Sequence, residues 1–308
     1  VNIQLKYFSL LFLNRMKMIA HKRPYVIAEI GCNHKGEIEI AKELIKIAKI
    51  FCNADAVKFQ KRNNVELLTE EQYNAPHPNP SNSYGDTYGA HREYLEFDVD
   101  QHAELKAYCE EIGIEYSTSV WDTTSAKEIA SLNPTFIKIP SACNNNYDML
   151  GWLCDNYKGE IHISTGMTTK NETEDLVDFF ISKGRNKDLV LYNCTSGYPV
   201  PFEDVCLLDI NLLIAKYGDK VKHIGFSGHH LGIAVDVAAY TLGANIIERH
   251  YTLDRTWKGT DHAASLEPEG LRKLSRDLKA VHKALQYKSQ DILPIEQVQR
   301  DKLKNKKV

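Results

Sequence analysis

Three observations predict a single (β/α)8 (TIM) barrel. Short apolar, β-branched runs alternate with longer amphipathic runs eight times between residues 24 and 287, the pattern of a parallel sheet covered by helices. Eight such units match a closed barrel better than an open sheet. The doubly wound alternative needs a phosphate-binding G-x-G-x-x-G after its first strand, and none follows here.

The units read in order. PYVIAEI (24–30) leads to EIEIAKELIKIAKIF (37–51), whose apolar residues recur at i, i+3 and i+4. DAVKFQ (55–60) is the second strand, and its helix, VDQHAELKAYCEEIG (99–113), comes only after NAPHPNPSNSYGDTYGAHREYLEF (74–97). That stretch is read as a long loop, the kind that covers a site or is a plain surface insertion. IEYSTS (114–119) precedes TSAKEIASL (124–132), TFIKIP (135–140) precedes YDMLGWLCDNY (147–157), and EIHIST (160–165) precedes ETEDLVDFFISKG (172–184). LVLYNC (189–194) leads to EDVCLLDINLLIAKYG (203–218), and VKHIGF (221–226) to IAVDVAAYTLG (233–243). NIIERH (245–250) and EPEGLRKLSRDLKAVHKAL (267–285) close the series.

Residues 1–23 are an extension before this domain and 288–308 a basic tail after it. The apolar YFSLLFL (7–13) falls far short of the roughly 20 residues a membrane-spanning helix needs. A net charge of −3 and a pI near 6.5 give no general attraction to nucleic acid or to an anionic membrane, so a small ligand is expected. The seven cysteines form no C-x-x-C pair, which fits reduced thiols in a cytoplasmic protein.

Barrel enzymes place their chemistry at the carboxyl ends of the strands. All eight ends are polar here: Glu29, Asn33 and His34; Lys58 and Gln60; Thr118; Lys138 and Ser141; Ser164 and Thr165; Thr195, Ser196 and Tyr198; Ser227 and His229; Glu248 and His250. Strand alternation sends Val57 and Phe59 toward the helices, leaving Lys58 and Gln60 facing the interior. Lys138 sits between two isoleucines in the same way. Two inward lysines among hydroxyls suggest a phosphate or carboxylate ligand, against the plainer reading of ion pairs with Glu29 or Glu248. His229 and His250 end neighbouring strands about 4.8 Å apart, close enough to share one metal ion. His21, His77, His91, His102, His223 and His282 are read as ordinary core or surface residues.

AEIGCNH (28–34), DAVKFQ (55–60), IKIPSA (137–142), ISTGM (163–167), NCTSGYPVP (193–201), GFSGHHLG (225–232), IERHYTLDR (247–255) and GTDHAASLEP (259–268) together resemble the N-acetylneuraminate (sialic acid) synthase family, which includes legionaminic and pseudaminic acid synthases. The resemblance runs from about residue 24 to 287, with every block in family order. It implies condensation of phosphoenolpyruvate with an open-chain N-acylated mannosamine-like sugar. The products would be a nine-carbon 3-deoxy-ulosonic acid and phosphate. By similarity, Lys58, Thr118, Lys138, Ser141, Ser164, Ser196 and Ser227 bind phosphoenolpyruvate. Gln60, Tyr198, Glu29, Glu248 and Asp261 surround the sugar and reacting carbons, with Glu29, Glu248 and Asp261 as the catalytic set. His229 and His250 would hold a divalent metal, Mn2+ first, with Co2+ or Mg2+ as alternatives.

Two features depart from the family pattern. Gly228 stands where an Asp is usual, which would take a carboxylate from beside the metal, and the chain stops before the family's small antifreeze-like cap domain. Arg92, or His91, is therefore expected to close over the sugar. A homodimer is implied, with a separate chain as another source of the cap. Two other functions stay open: a binding barrel without turnover, and an aldolase of the same type acting on a phosphorylated aldose, which a basic cluster at the mouth would favour.

Overall fold

The structure, a computed structural model, describes residues 21–304. The apolar run at 7–13 and nearly all of the predicted extension lie outside the described residues. Eight strands pair in parallel in sequence order and close into a barrel. They are β1 (Tyr25–Gly31), β2 (Ala56–Lys61), β3 (Glu115–Val120), β4 (Phe136–Ile139), β5 (Glu160–Ser164), β6 (Leu189–Cys194), β7 (His223–Gly228) and β8 (Ile246–His250). The TIM-barrel reading therefore holds, and β1 closes on β8 with Glu29 in register with His250.

The amphipathic runs form the outer helices: α1 (Ile38–Ile50), α5 (Val99–Ile112), α6 (Thr123–Ser131), α7 (Tyr147–Asn156), α8 (Lys170–Ser182), α9 (Asp209–Tyr217), α10 (Ala234–Thr241) and α11 (Pro268–Ala284). Their starts are chemically marked. Asp98, Asp122, Asn146 and Thr169 each accept a backbone N–H of the first turn, the donors a helix leaves unpaired. The main core lies between barrel and helices, with Val57 and Phe59 of β2 inside it, as alternation required. A smaller apolar plug of Ile27, Ala56, Phe136, Val190, Tyr192 and Ile246 fills the barrel's interior. Glu29, Lys58, Lys138 and Glu248 gather toward the opposite, carboxyl end, whereas His162 stacks on Phe136 within the plug.

Two sequence expectations need correction, and the tail gains an element. The segment between β2 and α5 is not one structureless loop, because it holds α2 (Asn64–Leu67), α3 (Glu70–Asn74) and α4 (Tyr88–Leu95). Thr87 caps α4 through the Ala90 N–H, so the Gly- and Pro-rich composition describes only its first half. The tail contains α12 (Pro294–Leu303), whose Ile295, Val298 and Leu303 are exposed. Finally, the helix after β6 starts at Asp209 rather than near 203, after a short 3-10 turn at Phe202–Asp204.

Candidate active site

A cavity of about 370 Å³ opens at the carboxyl end of the barrel. Its floor is a layer of four charges. Lys58 contacts a Glu29 carboxylate oxygen closely and lies 3.8 Å from Glu248. The Lys138 ammonium donates to both Glu248 oxygens at 2.9 and 3.1 Å, and stands 4.1 Å over the Tyr192 ring. All four groups are at least 95 % buried. Burial pushes the Glu248 carboxyl up, but Lys138 and Lys58 outweigh it and hold the group well below the usual carboxylate range. The ion pairs offered as the plain reading of the two lysines are therefore present. Both ammoniums nonetheless line the cavity.

Above this floor stand hydroxyls. Ser141, Ser164, Ser196 and Ser227 line the cavity as expected. Ser227 donates to Glu248 at 3.0 Å, and the Gly166 N–H donates to the Ser141 oxygen at 3.0 Å. A Cβ on Gly166 would collide with the Ser196 hydroxyl, so glycine lets backbone and two serines converge. Two ammoniums, four hydroxyls and this tight backbone approach form a cradle suited to a small anion with several oxygens.

Higher on the wall, Gln60 donates to Glu29 at 3.0 Å. Gly31, at φ +57°, would place a Cβ 3.0 Å from Gln60, 3.3 Å from Glu29 and 3.6 Å from Asp261, so it keeps open the space where three polar side chains meet. Burial pushes the Asp261 carboxyl up, and His250 with Arg62 and Arg92 more than reverse that. Tyr198 also lines the cavity, its ring 4.3 Å from His229 and 5.7 Å from His250.

The two imidazoles face each other with ring centroids 5.4 Å apart. His229 Nδ1 lies 2.9 Å from the Thr195 carbonyl, which makes it the N–H donor and leaves Nε2 with a free lone pair. Burial, with His250 next, pushes the His229 imidazole down to about 3, so it is neutral at physiological pH. His250 Nδ1 is buried with no hydrogen-bond partner, 3.8 Å from Asp261. Among the described residues no group of three or more His, Cys, Asp or Glu is arranged as a metal cage. The donor set fits a divalent ion held by the imidazoles of His229 and His250, its remaining positions left to water or substrate.

Two expected residues are elsewhere. Thr118 points away from the cavity and donates to the Tyr116 hydroxyl at 2.6 Å on the helix side. β3 pairs Gln60 with Ser119 and Phe59 with Thr118, so Ser119 shares the inward face. Ser119 accepts from the Lys58 ammonium at 2.6 Å and lines the cavity in place of Thr118. Arg92 does not line the cavity, because its guanidinium is engaged by the Tyr88 hydroxyl at 2.7 and 3.0 Å. His91 is buried, its ring 4.4 Å from that of His77. The cation that reaches the wall is Arg62, 4.4 Å over the Trp121 ring and paired with Glu96 at 3.1 Å. Both were legible: Lys58, Gln60 and Arg62 continue one period-2 series, and Ser117, Ser119 and Trp121 continue the next.

Gly228 also corrects an expectation. It is in register with Arg249, and a Cβ there would meet Phe226 at 2.8 Å and the His230 ring at 2.9 Å. A carboxylate at 228 would thus project to the helix side, not beside the histidine pair.

Residues 44–290 match the NeuB family. The chain belongs to this family. It is 39 % identical to the N-acetylneuraminate-9-phosphate synthase of Homo sapiens, over 91 % of this chain and 76 % of that protein. It is 33 % identical to the N,N'-diacetyllegionaminic acid synthase of Campylobacter jejuni, over 86 % and 78 %. Among solved structures, the N-acetylneuraminic acid synthetase of Leptospira borgpetersenii, crystallised with citrate, superposes with a TM-score of 0.76 at 28 % identity, covering 93 % of this chain and 94 % of that one. This NeuB-family chain is thus a synthase-type barrel with its cavity at the carboxyl end.

Proposed function

We propose that the cavity condenses phosphoenolpyruvate with an open-chain N-acyl mannosamine-type sugar, giving a sialic-acid-type ulosonic acid and inorganic phosphate. The observation that carries this reading is the cradle of Lys58, Lys138 and the serines directly beneath His229, His250 and Tyr198 in one cavity. It offers an anion site and a carbonyl site in the same cavity.

The chain's own groups account for most of the work. Lys58 and Lys138, with Ser119, Ser141, Ser164, Ser196 and Ser227, bind the phosphate and carboxylate of phosphoenolpyruvate. A divalent ion on His229 and His250, Mn2+ by preference, would supply Lewis-acid polarisation of the aldehyde. The methylene carbon of phosphoenolpyruvate then forms the new bond to the aldehyde carbon, whose oxygen takes a proton. Water adds to the electron-poor enol carbon, and the resulting tetrahedral phosphohemiketal expels phosphate with its bridging oxygen. Glu29 handles the proton of that water or of the hydroxyl, since it is anchored by Lys58 and Gln60 at the cavity wall. Glu248 keeps the lysine pair in place, and Asp261 and Gln60 hold sugar hydroxyls.

The basic cluster that would favour a phosphorylated sugar has a candidate. Lys35 lies 4.0 Å over Trp257 and Lys258 4.9 Å over Tyr84, on the loops after β1 and β8. Condensation adds three carbons, so a terminal phosphate on a six-carbon sugar would become the terminal phosphate of a nine-carbon product. The human relative's name carries that product.

The test is phosphate release from phosphoenolpyruvate with N-acyl hexosamines, free and terminally phosphorylated, in Mn2+ and in chelator. Turnover with one of these sugars and its loss in chelator are expected. Phosphoenolpyruvate binding without turnover on any sugar would establish the binding-barrel alternative, and metal-independent turnover would remove the role given to the histidines. A lysine-free rim, Lys35→Ala with Lys258→Ala, should raise KM about tenfold or more for the phosphorylated sugar alone.

No helix among the described residues is long and apolar enough to cross a membrane, and all seven cysteines are free thiols. Those thiols support a reducing, cytoplasmic setting. Exposed Phe202, Leu208, Leu212 and Leu231, on the β6 and β7 loops and α9, support cover of the rim by a second subunit.

A further inference from the structure

Among the described residues the largest fully buried side chain is Arg249, and it lies outside the cavity. It stands on β8 between Glu248 and His250, so alternation turns it to the helix side while its neighbours face the site. There the guanidinium grips the turn that follows His229. One terminal nitrogen donates to the Gly232 carbonyl at 2.8 Å, lies 3.1 Å from His230 Nε2 and pairs with Asp236; the other donates to the His230 carbonyl. Asp236 is fully buried on α10 and also lies 3.3 Å from His230 Nε2. His229 itself is held twice more, by Nδ1 to the Thr195 carbonyl and by its own carbonyl, which accepts the Val200 N–H at 3.0 Å.

A buried arginine is costly to desolvate, and a merely compensating charge would need one carboxylate. Here the planar fork instead spans two backbone carbonyls of a single turn, a use that a lysine's point charge does not reproduce. We propose that Arg249, seated by Asp236 and His230, is a positioning residue that fixes the 229–232 turn, and with it the aim of the His229 imidazole. Gly228 belongs to the same device. Its missing side chain leaves the space in which the His230 ring lies against the guanidinium. β8 thereby serves the site on both faces, with Glu248 and His250 inside and the support of His229 outside. The Val200 contact extends the effect to the segment bearing Tyr198.

Arg249→Lys in the full chain, with Asp236→Asn as a milder second variant, tests this by two readings. The first is amide exchange at Val200. Protection there should fall about tenfold or more in Arg249→Lys, and less in Asp236→Asn, while amides of β2 to β5 keep theirs. The second rests on the metal role proposed above: Mn2+ alone, titrated by its paramagnetic resonance signal, should bind roughly 10 to 100-fold more weakly. Phosphoenolpyruvate affinity should fall less than Mn2+ affinity, because Lys58, Ser119, Lys138, Ser141 and Ser164 of its cradle lie on β2 to β5 and the turn after β4, away from the 229–232 turn. Unchanged Val200 protection in a folded variant overturns the proposal, and so does a uniform loss across all strands, which would make Arg249 a general stabiliser. If the wild-type chain binds no Mn2+, the metal role fails, and the exchange comparison still decides the clamp.

Discussion

At the scale of single residues, inward and outward positions on one strand carry different functions. Ser119→Ala should weaken phosphoenolpyruvate binding, because its oxygen accepts from the Lys58 ammonium. Thr118→Val should leave that binding within about twofold and cost only about 1 kcal/mol of stability through the lost bond to Tyr116. Isothermal titration and thermal melting separate the two. Gly228→Asp should destabilise by about 1–3 kcal/mol through overlap with Phe226 and His230. Adding His230→Thr should return part of that cost, a coupling that a double-mutant cycle in urea measures. These are the positions where sequence reading slipped. Thr118 stands at the polar end of β3, but Tyr116 two residues earlier marks its face as the packed one. The interior face of β3 was thus available from alternation alone. The outward direction of residue 228 was not, since it depends on the exact end of β7.

At the scale of elements, the floor of the cavity ties four strands together. Glu29 on β1, Lys58 on β2, Lys138 on β4 and Glu248 on β8 neutralise one another across the barrel. Lys138→Met should cost about 3–5 kcal/mol, because it strands the Glu248 carboxylate in a buried site. Lys138→Met with Glu248→Gln should recover part of this stability while phosphoenolpyruvate binding stays lost. Urea melts and calorimetric titration read both quantities. The eight strands and their helices were legible because period-2 and 3.6-residue patterns are strong over those lengths. α4 was hidden by its neighbours: YGAHREYL follows a run rich in Pro, Asn and Gly, and its start depends on the cap from Thr87. The expectation that Arg92 closes over the sugar treats TYGAHREYLEF as a loop. On a helix its guanidinium meets Tyr88 four residues earlier, the ordinary neighbour on a helical face.

At the scale of the whole molecule, burial of neutral histidines sets the acid limit. Burial pushes His34 and His102 down to about 3, and His91, His223 and His262 down to about 4. The unfolded chain protonates these groups near the usual value of about 6.5, so below it the unfolded state binds more protons and stability falls with pH. Each fully buried imidazole removes up to about 1.4 kcal/mol per pH unit between about 6.5 and its folded value. Loss of the Glu248 pairing acts in the same direction at lower pH. Thermal melting should therefore show a plateau above about pH 7 and a steep decline below 6. A flat profile down to about pH 4 would mean that these histidines are hydrated in solution. The barrel and the gathering of polar residues at one end were legible from the order of the motifs. The support of His229 from behind β8 was not, because alternation in IERH turns Arg249 to the helix side without naming the partners it meets there.

The central claim is that one cavity joins phosphoenolpyruvate to an N-acyl sugar by carbon–carbon bond formation. The most direct measurement uses phosphoenolpyruvate carrying heavy oxygen in its bridging position, turned over with the active N-acyl hexosamine. Mass spectrometry should find the label in the released phosphate and an unlabelled product heavier than the sugar by one pyruvate. Label retained in free pyruvate, with the sugar unchanged or phosphorylated, would contradict the account.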